Sequence, residues 1–154
     1  ARNPALKGQD LETTRKACEV YRHQPVTVIN FAEGTRSTAP KRAKQGSPYQ
    51  YLLRPKAGGT AFMLYAMGDV LDGVMEATLI YAGTDNPTIW DYWCGTMREV
   101  RADIRSLDIP REYHGGDYQN DAVFQERFRN WMNDYWGRKD KEISTLRAPP
   151  PPED

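Results

Sequence analysis

Residues Val26-Thr-Val-Ile-Asn-Phe31 decide the predicted fold, because this short run is apolar and rich in β-branched side chains. That composition is typical of a buried strand. Pro25 precedes the run, and Glu33-Gly34-Thr35-Arg36 follows it. The sequence therefore predicts a core strand whose end delivers a carboxylate, a hydroxyl and a guanidinium into a loop.

Helical patterns lie on both sides of this strand. Asp10 is a candidate N-cap for a helix over residues 11–23, in which apolar residues recur at helical spacing. Residues 37–55 are polar, basic and interrupted by proline and glycine, which predicts a long surface excursion. Gly58-Gly59 then opens a second predicted helix, residues 60–67.

The second half of the chain predicts two more strands and a long helix. Residues 74–81 are a strand candidate, and residues 98–105 alternate between apolar and charged side chains. The alternation predicts that Val100, Ala102 and Ile104 face the core and that Arg101, Asp103 and Arg105 face outward. From Asp121 onward apolar residues recur by three and four, which predicts an amphipathic helix to about residue 137 or beyond.

The order of these elements predicts the fold class. Helices and strands are mixed along the chain, which indicates an α/β fold with a sheet flanked by helices. The cluster Trp90, Tyr92 and Trp93 is predicted to pack on the core between the last two strands. With 154 residues the chain is long enough for one domain. We place this single α/β domain at residues 1–147 and a proline-rich tail at residues 148–154.

The net charge is zero, but the charges are unevenly distributed. Lysine plus arginine and aspartate plus glutamate number 21 each, which gives no overall attraction to nucleic acid or anionic lipid. Residues 1–60 carry 11 basic and 4 acidic side chains, whereas residues 61–154 carry 10 and 17. Residues 34–60 contain cations and no acid. This run is either an anion-binding segment or a solvated basic loop.

Several common enzyme classes have no motif in this sequence. His23 and His114 lack a spaced His, Cys or carboxylate partner, so we expect no metal site. Cys18 and Cys94 stand apart and are expected to be buried free thiols. Neither a Gly-x-Ser-x-Gly elbow nor a glycine-rich phosphate loop occurs.

The loop after the first strand has the parts of an anion pocket. Arg36 offers a planar fork that matches phosphate oxygens, and backbone N–H groups around Gly34 can add donors. Glu33 would orient Arg36 or a neighbouring backbone group. An ordinary salt bridge between strand and loop is the alternative interpretation of these residues.

The block Phe31-Ala-Glu33-Gly34-Thr35-Arg36-Ser37 resembles the Phe-x-Glu-Gly-Thr-Arg-Ser block of the glycerolipid acyltransferase family, which includes 1-acyl-glycerol-3-phosphate acyltransferases. The resemblance covers nearly the whole chain. The chain is similar in particular to the bacterial inner-membrane branch of the family, which includes lysophospholipid acyltransferases. The further segments that carry it are Thr38, Lys41, Ser47-Pro48-Tyr49, Leu52-Leu53, residues 55–59, residues 74–81 and residues 131–140.

This resemblance implies transfer of a fatty acyl group in phospholipid synthesis. The donor would be acyl-CoA or acyl-carrier protein as co-substrate, with no further cofactor, and the acceptor would be the hydroxyl of lysophosphatidic acid or a related lysophospholipid. The resemblance implies that Arg36 binds the acceptor phosphate. The residues that would shape its pocket are Phe31, Glu33, Gly34 and Thr35. Lys56, in the same acid-free run, is either a second phosphate cation or a solvated lysine.

The sequence departs from the family at the catalytic block, a His followed five positions later by an Asp. Val28 stands five positions after His23, and Gln119 stands five after His114. An alcohol that attacks a thioester needs a base to take its proton. We therefore expect the incomplete C-terminal part of an acyltransferase fold, with no catalytic residue and no turnover of its own.

The resemblance also implies a location and partners. The full-length enzyme would lie on the cytoplasmic face of the inner membrane, with the membrane contact in a part N-terminal to this soluble fragment. No nucleic-acid partner is expected.

Two other function classes stay open at this point. A non-catalytic module that binds phosphate or a lipid headgroup would account for the basic loop and the missing base. A single-stranded nucleic-acid binder would use Tyr49 and Tyr51, which are interleaved with cations and could stack on bases. Nucleic-acid binding would weaken steeply with salt, whereas a small phosphate pocket would depend chiefly on Arg36.

Overall fold

The computed structural model describes residues 23, 25–81, 87–97 and 99–147. Within them lie four α-helices: α1 (Ala39–Gln45), α2 (Ala57–Met67), α3 (Ile89–Trp93) and α4 (Ala122–Leu146). Two strands, β1 (Met75–Tyr81) and β2 (Val100–Ser106), and a 3-10 helix (Arg111–Tyr113) complete the described elements. The tail at residues 148–154 and all of the predicted helix over residues 11–23 except His23 lie outside the described residues. The architecture is mixed α/β.

The two long helices meet in the core. Helix α2 buries its Ala57, Ala61, Leu64 and Met67 side, and α4 buries Phe124, Phe128, Met132 and Ile143. Tyr113 of the 3-10 helix meets Phe128 edge to face, with 5.4 Å between the ring centroids. Aromatic pairs in this geometry add to the stabilisation from apolar burial. The predicted helices at 60–67 and from Asp121 onward are both confirmed, and α2 begins three residues earlier than predicted.

Local chemistry sets the start of α4 and the turn before it. The Asp121 carboxylate accepts hydrogen bonds from the backbone N–H of Val123 (2.9 Å) and Phe124 (3.0 Å), which satisfies two donors of the first helical turn. A Cβ atom at Gly116 would overlap the Phe124 ring. Only glycine therefore lets the chain pass this close to the core.

Strands β1 and β2 form an antiparallel pair with Met75 opposite Ser106 and Tyr81 opposite Val100. Both predicted strands are confirmed, but the predicted orientation of β2 is wrong. Val100, Ala102 and Ile104 are exposed. The charged face packs on α4 instead, because α4 supplies its partners: Glu76 Oε1 lies 2.6 Å from Lys139 Nζ, and Arg105 Nη1 lies 3.0 Å from Glu142 Oε2.

Three further predictions are wrong. The predicted strand at residues 26–31 is absent, and these residues are exposed, because no described strand pairs with them. The cluster Trp90, Tyr92 and Trp93 is exposed instead of packed on the core. Cys94 is also exposed rather than buried, and Cys18 lies outside the described residues.

Candidate functional site

The loop that follows Phe31 is held in a tight turn. The Gly34 N–H donates to the Phe31 carbonyl oxygen (2.8 Å), and Gly34 has φ 68°, a left-handed conformation that favours glycine. The Lys56 N–H donates to the Ala32 carbonyl oxygen (2.7 Å). A Cβ atom at position 34 would lie 2.6 Å from Lys56 Nζ. The glycine therefore lets the Lys56 ammonium lie directly against the turn.

Helix α1 brings a second ammonium to the same loop. Lys41 Nζ donates to Thr35 Oγ1 (2.7 Å) and to the Arg36 carbonyl oxygen (3.2 Å). Helix α1 was missed in the sequence, where residues 37–55 were expected to be a surface excursion. Its signals are ordinary ones: Pro40 lies in the first turn, and Gly46, with φ 61°, ends the helix.

Arg36 completes a group of three cations, which we call the cation cluster: Arg36, Lys41 and Lys56. Arg36 is exposed, and its Nη1 donates to the Pro87 carbonyl oxygen (2.9 Å). Among the described residues, no carboxylate lies within salt-bridge distance of any member of the cluster. Clustered cations without acidic partners favour binding of an anion.

Glu33 points away from the cation cluster, toward α4. Its Oε1 accepts from Trp136 Nε1 (3.4 Å), and its carboxylate accepts the Leu53 backbone N–H. Burial raises the pKa of Glu33 above its ordinary value of 4.5, against the opposing effects of these donors and of Lys139 and Arg42. Of the two orienting roles predicted for Glu33, the structure shows the one toward a backbone group. It shows no hydrogen bond from the Arg36 guanidinium to the Glu33 carboxylate.

A cavity of about 470 Å³ lies beside the loop. It is lined by four of the six predicted substrate-binding residues, namely Phe31, Glu33, Thr35 and Arg36, whereas Gly34 and Lys56 lie next to it. Its apolar lining is contributed mainly by β1, the chain after β2, and α4: Met75, Leu79, Leu107, Ile109, Met132 and Ile143. The cavity thus combines a long apolar wall with a polar wall that carries cations, among them Arg36 and Arg42, and the carboxylates of Glu33 and Glu76.

A second anchor ties the basic segment to α4. The Asp140 carboxylate accepts the backbone N–H groups of Gln50 (2.8 Å), Tyr51 (2.8 Å) and Leu52 (3.1 Å). The Tyr51 carbonyl oxygen in turn accepts from Ser37 Oγ (2.7 Å). Asp140 stands in a segment that resembles the acyltransferase family, but no pattern in the sequence predicts these three bonds across 88 or more positions.

Neither histidine belongs to the site. His114 lies at the C-terminal end of α2, where its Nδ1 is 3.0 Å from the carbonyl oxygen of the C-cap residue Gly68. His23 is exposed and does not line the cavity. Within the described part of the chain, no three His, Cys, Asp or Glu side chains are grouped so that they could hold a metal ion.

The sequence was compared with known families and solved structures, and the helices were compared with the length and apolarity needed to cross a bilayer. No model of a known protein family matches the sequence, and no solved structure is significantly similar to it. Among the described residues, no helix is both long enough and apolar enough to cross a bilayer. The resemblance to acyltransferases through residues 31–37 therefore stays a prediction.

Proposed function

We propose that this chain binds the phosphate of a lysophospholipid at the cation cluster and forms the acceptor-binding part of a glycerolipid acyltransferase. The observation that carries the proposal is the position of Arg36, which lines a partly apolar cavity, with Lys41 bonded to its carbonyl oxygen and Lys56 against Gly34 of the same loop. Phosphate oxygens match the guanidinium fork of Arg36, and Lys41 and Lys56 act as point charges beside it. The acyl chain of the acceptor would lie along the apolar wall.

The geometry of the loop supports a site for a phosphate group. Of the donors of the Arg36 guanidinium, Nη1 is used by the Pro87 carbonyl, and a guanidinium carries five N–H donors in all. The contact with Pro87 fixes the position of the side chain and leaves its other nitrogens able to meet an anion. Glu33, the nearest acid in the sequence, is engaged with Trp136 and does not compete.

The proposed reaction joins the acceptor hydroxyl to an acyl group. The hydroxyl oxygen forms an ester bond to the thioester carbon, the carbon–sulfur bond breaks, and the hydroxyl proton passes to a base while the thiol leaves. The donor is acyl-CoA or acyl-carrier protein, and the enzyme acts at the cytoplasmic face of the inner membrane. No described residue beside the cavity is a histidine. In this proposal the base is supplied by a preceding part of the enzyme, as the resemblance implies.

The second candidate is a headgroup-binding module without catalysis. The observation that favours it is the position of His23 and His114, neither of which borders the cavity. Both candidates predict binding by the purified chain, and both predict that this chain alone transfers no acyl group from acyl-CoA to lysophosphatidate. Attaching the preceding part of the protein should restore transfer in the first case only.

Calorimetric titration with short-chain lysophosphatidate, below its micelle concentration, tests the phosphate site. We expect Arg36→Ala to weaken binding at least about tenfold, the loss of a charge-assisted bidentate contact. Arg54→Ala is the matched control, because Arg54 lies in the same basic run but donates to the Gly46 carbonyl oxygen (3.0 Å) and does not line the cavity. Equal affinities of the two variants would refute the site.

Related ligands separate the two walls of the cavity. Glycerol 3-phosphate, which lacks the acyl chain, should bind more weakly than lysophosphatidate but with the same dependence on Arg36. Monoacylglycerol, which lacks the phosphate, should bind with no dependence on Arg36. A single-stranded oligonucleotide that bound more tightly than lysophosphatidate, with a steep loss of affinity on adding salt, would favour the nucleic-acid alternative.

A further inference from the structure

The short helix α3 exposes almost all of its apolar surface. Ile89, Trp90, Tyr92 and Trp93 are 75%, 74%, 71% and 74% exposed. Large aromatic side chains with most of their surface in water are costly for a protein and mark contact surfaces when they are grouped. The group on α3 is therefore a surface that meets something other than water.

The backbone of α3 needs no partner to satisfy it. Thr88 and Asp91 form a reciprocal cap: the Asp91 N–H donates to Thr88 Oγ1 (3.2 Å), and the Thr88 N–H donates to Asp91 Oδ2 (2.7 Å). At the other end, the Cys94 N–H donates to the Trp90 carbonyl oxygen (2.8 Å). The helix can therefore enter a region of low polarity without leaving these backbone groups unbonded.

The cation cluster adjoins this helix. Arg36 Nη1 binds the carbonyl oxygen of Pro87, two positions before α3 begins, and Lys41 Nζ binds the Arg36 carbonyl oxygen. The acid on the helix, Asp91, accepts from Thr88 Oγ1 in the cap and from Thr96 Oγ1. An aromatic surface and an unneutralised basic surface thus lie side by side.

We infer that α3 and the cation cluster together dock the chain on an anionic lipid bilayer, with Trp90, Tyr92 and Trp93 in the interfacial layer. Indole and phenol rings favour that layer because each has an apolar body and a polar group. The negative surface potential of anionic lipids attracts adjacent basic side chains. The inference rests on the proposed function only for the identity of the ligand that the docked chain takes up.

This docking surface would place the lipid-facing side of the molecule within the described residues. The resemblance to acyltransferases instead predicts membrane contact in a part N-terminal to this chain. A chain that collects a lysophospholipid from a bilayer needs its phosphate site close to the headgroups. The Arg36–Pro87 contact would keep the two surfaces together.

Sedimentation with vesicles tests the inference on the full 154-residue chain. We expect the chain to bind vesicles that contain phosphatidylglycerol, and to bind phosphatidylcholine vesicles more weakly. Trp90→Ala/Trp93→Ala should lower the partition coefficient at least about tenfold, because two exposed indoles lose their transfer from water. Brominated phosphatidylcholine in the vesicles should quench tryptophan emission in the wild type and much less in this variant.

The matched control is Val100→Ala/Ile104→Ala, which removes two exposed apolar side chains of β2 that do not line the cavity. We expect the control to bind vesicles as the wild type does. Loss of binding in the control but not in the tryptophan variant would overturn the inference. So would a dimer in sedimentation velocity that depends on Trp90 and Trp93 when no vesicle binding is seen, because the helix would then contact a second copy of the chain.

Binding of glycerol 3-phosphate keeps the two proposals distinct. The tryptophan variant should bind glycerol 3-phosphate with the affinity of the wild type, whereas Arg36→Ala should not. Vesicle binding that depends on the tryptophans, together with glycerol 3-phosphate binding that is indifferent to Arg36, would refute the proposed function and support the docking surface. The opposite pair of results would support the proposed function and refute the docking surface.

Discussion

Asp140→Ala should destabilise the protein, because Asp140 anchors the basic segment to α4. The side chain accepts three backbone N–H groups, from Gln50, Tyr51 and Leu52, at 2.8 to 3.1 Å. Hydrogen bonds to a charged group contribute about 1.5–3 kcal/mol each when well formed. Because Gln50 is exposed and the three donors share one carboxylate, we expect a total loss of about 2–4 kcal/mol.

Thermal unfolding followed by circular dichroism measures this loss. For a chain of this length, each kcal/mol lowers Tm by about 2–4 °C, so Tm should fall by roughly 5–15 °C. Asp134→Ala is the matched control, because Asp134 lies on the same helix and is exposed. Both changes gain the same helix propensity, so their difference isolates the three hydrogen bonds.

The same variant also has an expected effect on binding. The Tyr51 carbonyl oxygen accepts from Ser37 Oγ at 2.7 Å, and Ser37 follows Arg36 directly, so loosening residues 50–52 should weaken lysophosphatidate binding. If Asp140→Ala and Asp134→Ala have the same Tm, the anchor contributes nothing to stability. Asp140 would then not be what holds the basic segment to α4.

Three further predictions concern stability. Burial raises the pKa of Glu33 above 4.5, so its protonated form contributes stability that is complete below pH 4.5 and lost as the pH rises through the folded-state pKa. Glu33→Gln should therefore gain Tm relative to the wild type as the pH rises from 4.5 to 7, and a constant difference would contradict this. Gly116→Ala should cost about 1–3 kcal/mol in urea unfolding, because its Cβ would overlap Phe124, whereas Gly59→Ala in α2 meets no neighbour and should add about 0.5–1 kcal/mol. Lys139→Met leaves the Glu76 carboxylate without its ion pair, in which the two side chains are 11% and 15% exposed. It should cost about 2–4 kcal/mol in the same assay, and Glu76→Gln added to it should recover part of that loss.

Sequence patterns predicted the helices that have a continuous apolar stripe and the strands that pair with a neighbouring strand in the sequence. The periodicity of α4 and of α2 predicted both helices, since each buries a continuous apolar stripe. The alternation in β2 predicted a strand with two different faces. It did not reveal which face is covered, because that depends on what α4 presents: Lys139 and Glu142 pair with the charged side of the sheet.

The run at residues 26–31 shows the limit of composition as a predictor. Its β-branched residues favour an extended backbone, and the backbone there is free of helix. A strand also needs a neighbour to bond with, and among the described residues β1 pairs with β2 alone. Composition thus predicted a strand where the described residues offer no pairing partner, and no pattern within six residues can encode the pairing.

The positive charge of the candidate site depends on the contacts that fix the loop to α4 as well as on the basic residues of the loop. Two acids contact the basic segment where it meets α4. Glu33 accepts from Trp136 of α4, and Asp140 of α4 accepts three backbone N–H groups of the segment. Each carboxylate is thereby used to fix the loop and is kept from neutralising Arg36 or Lys56. Charge separation of this kind could not be predicted from the sequence, in which Glu33 stands three positions from Arg36 and suggests an ion pair. This separation leaves the cation cluster without an acidic partner among the described residues, which is the condition that the proposed phosphate site requires.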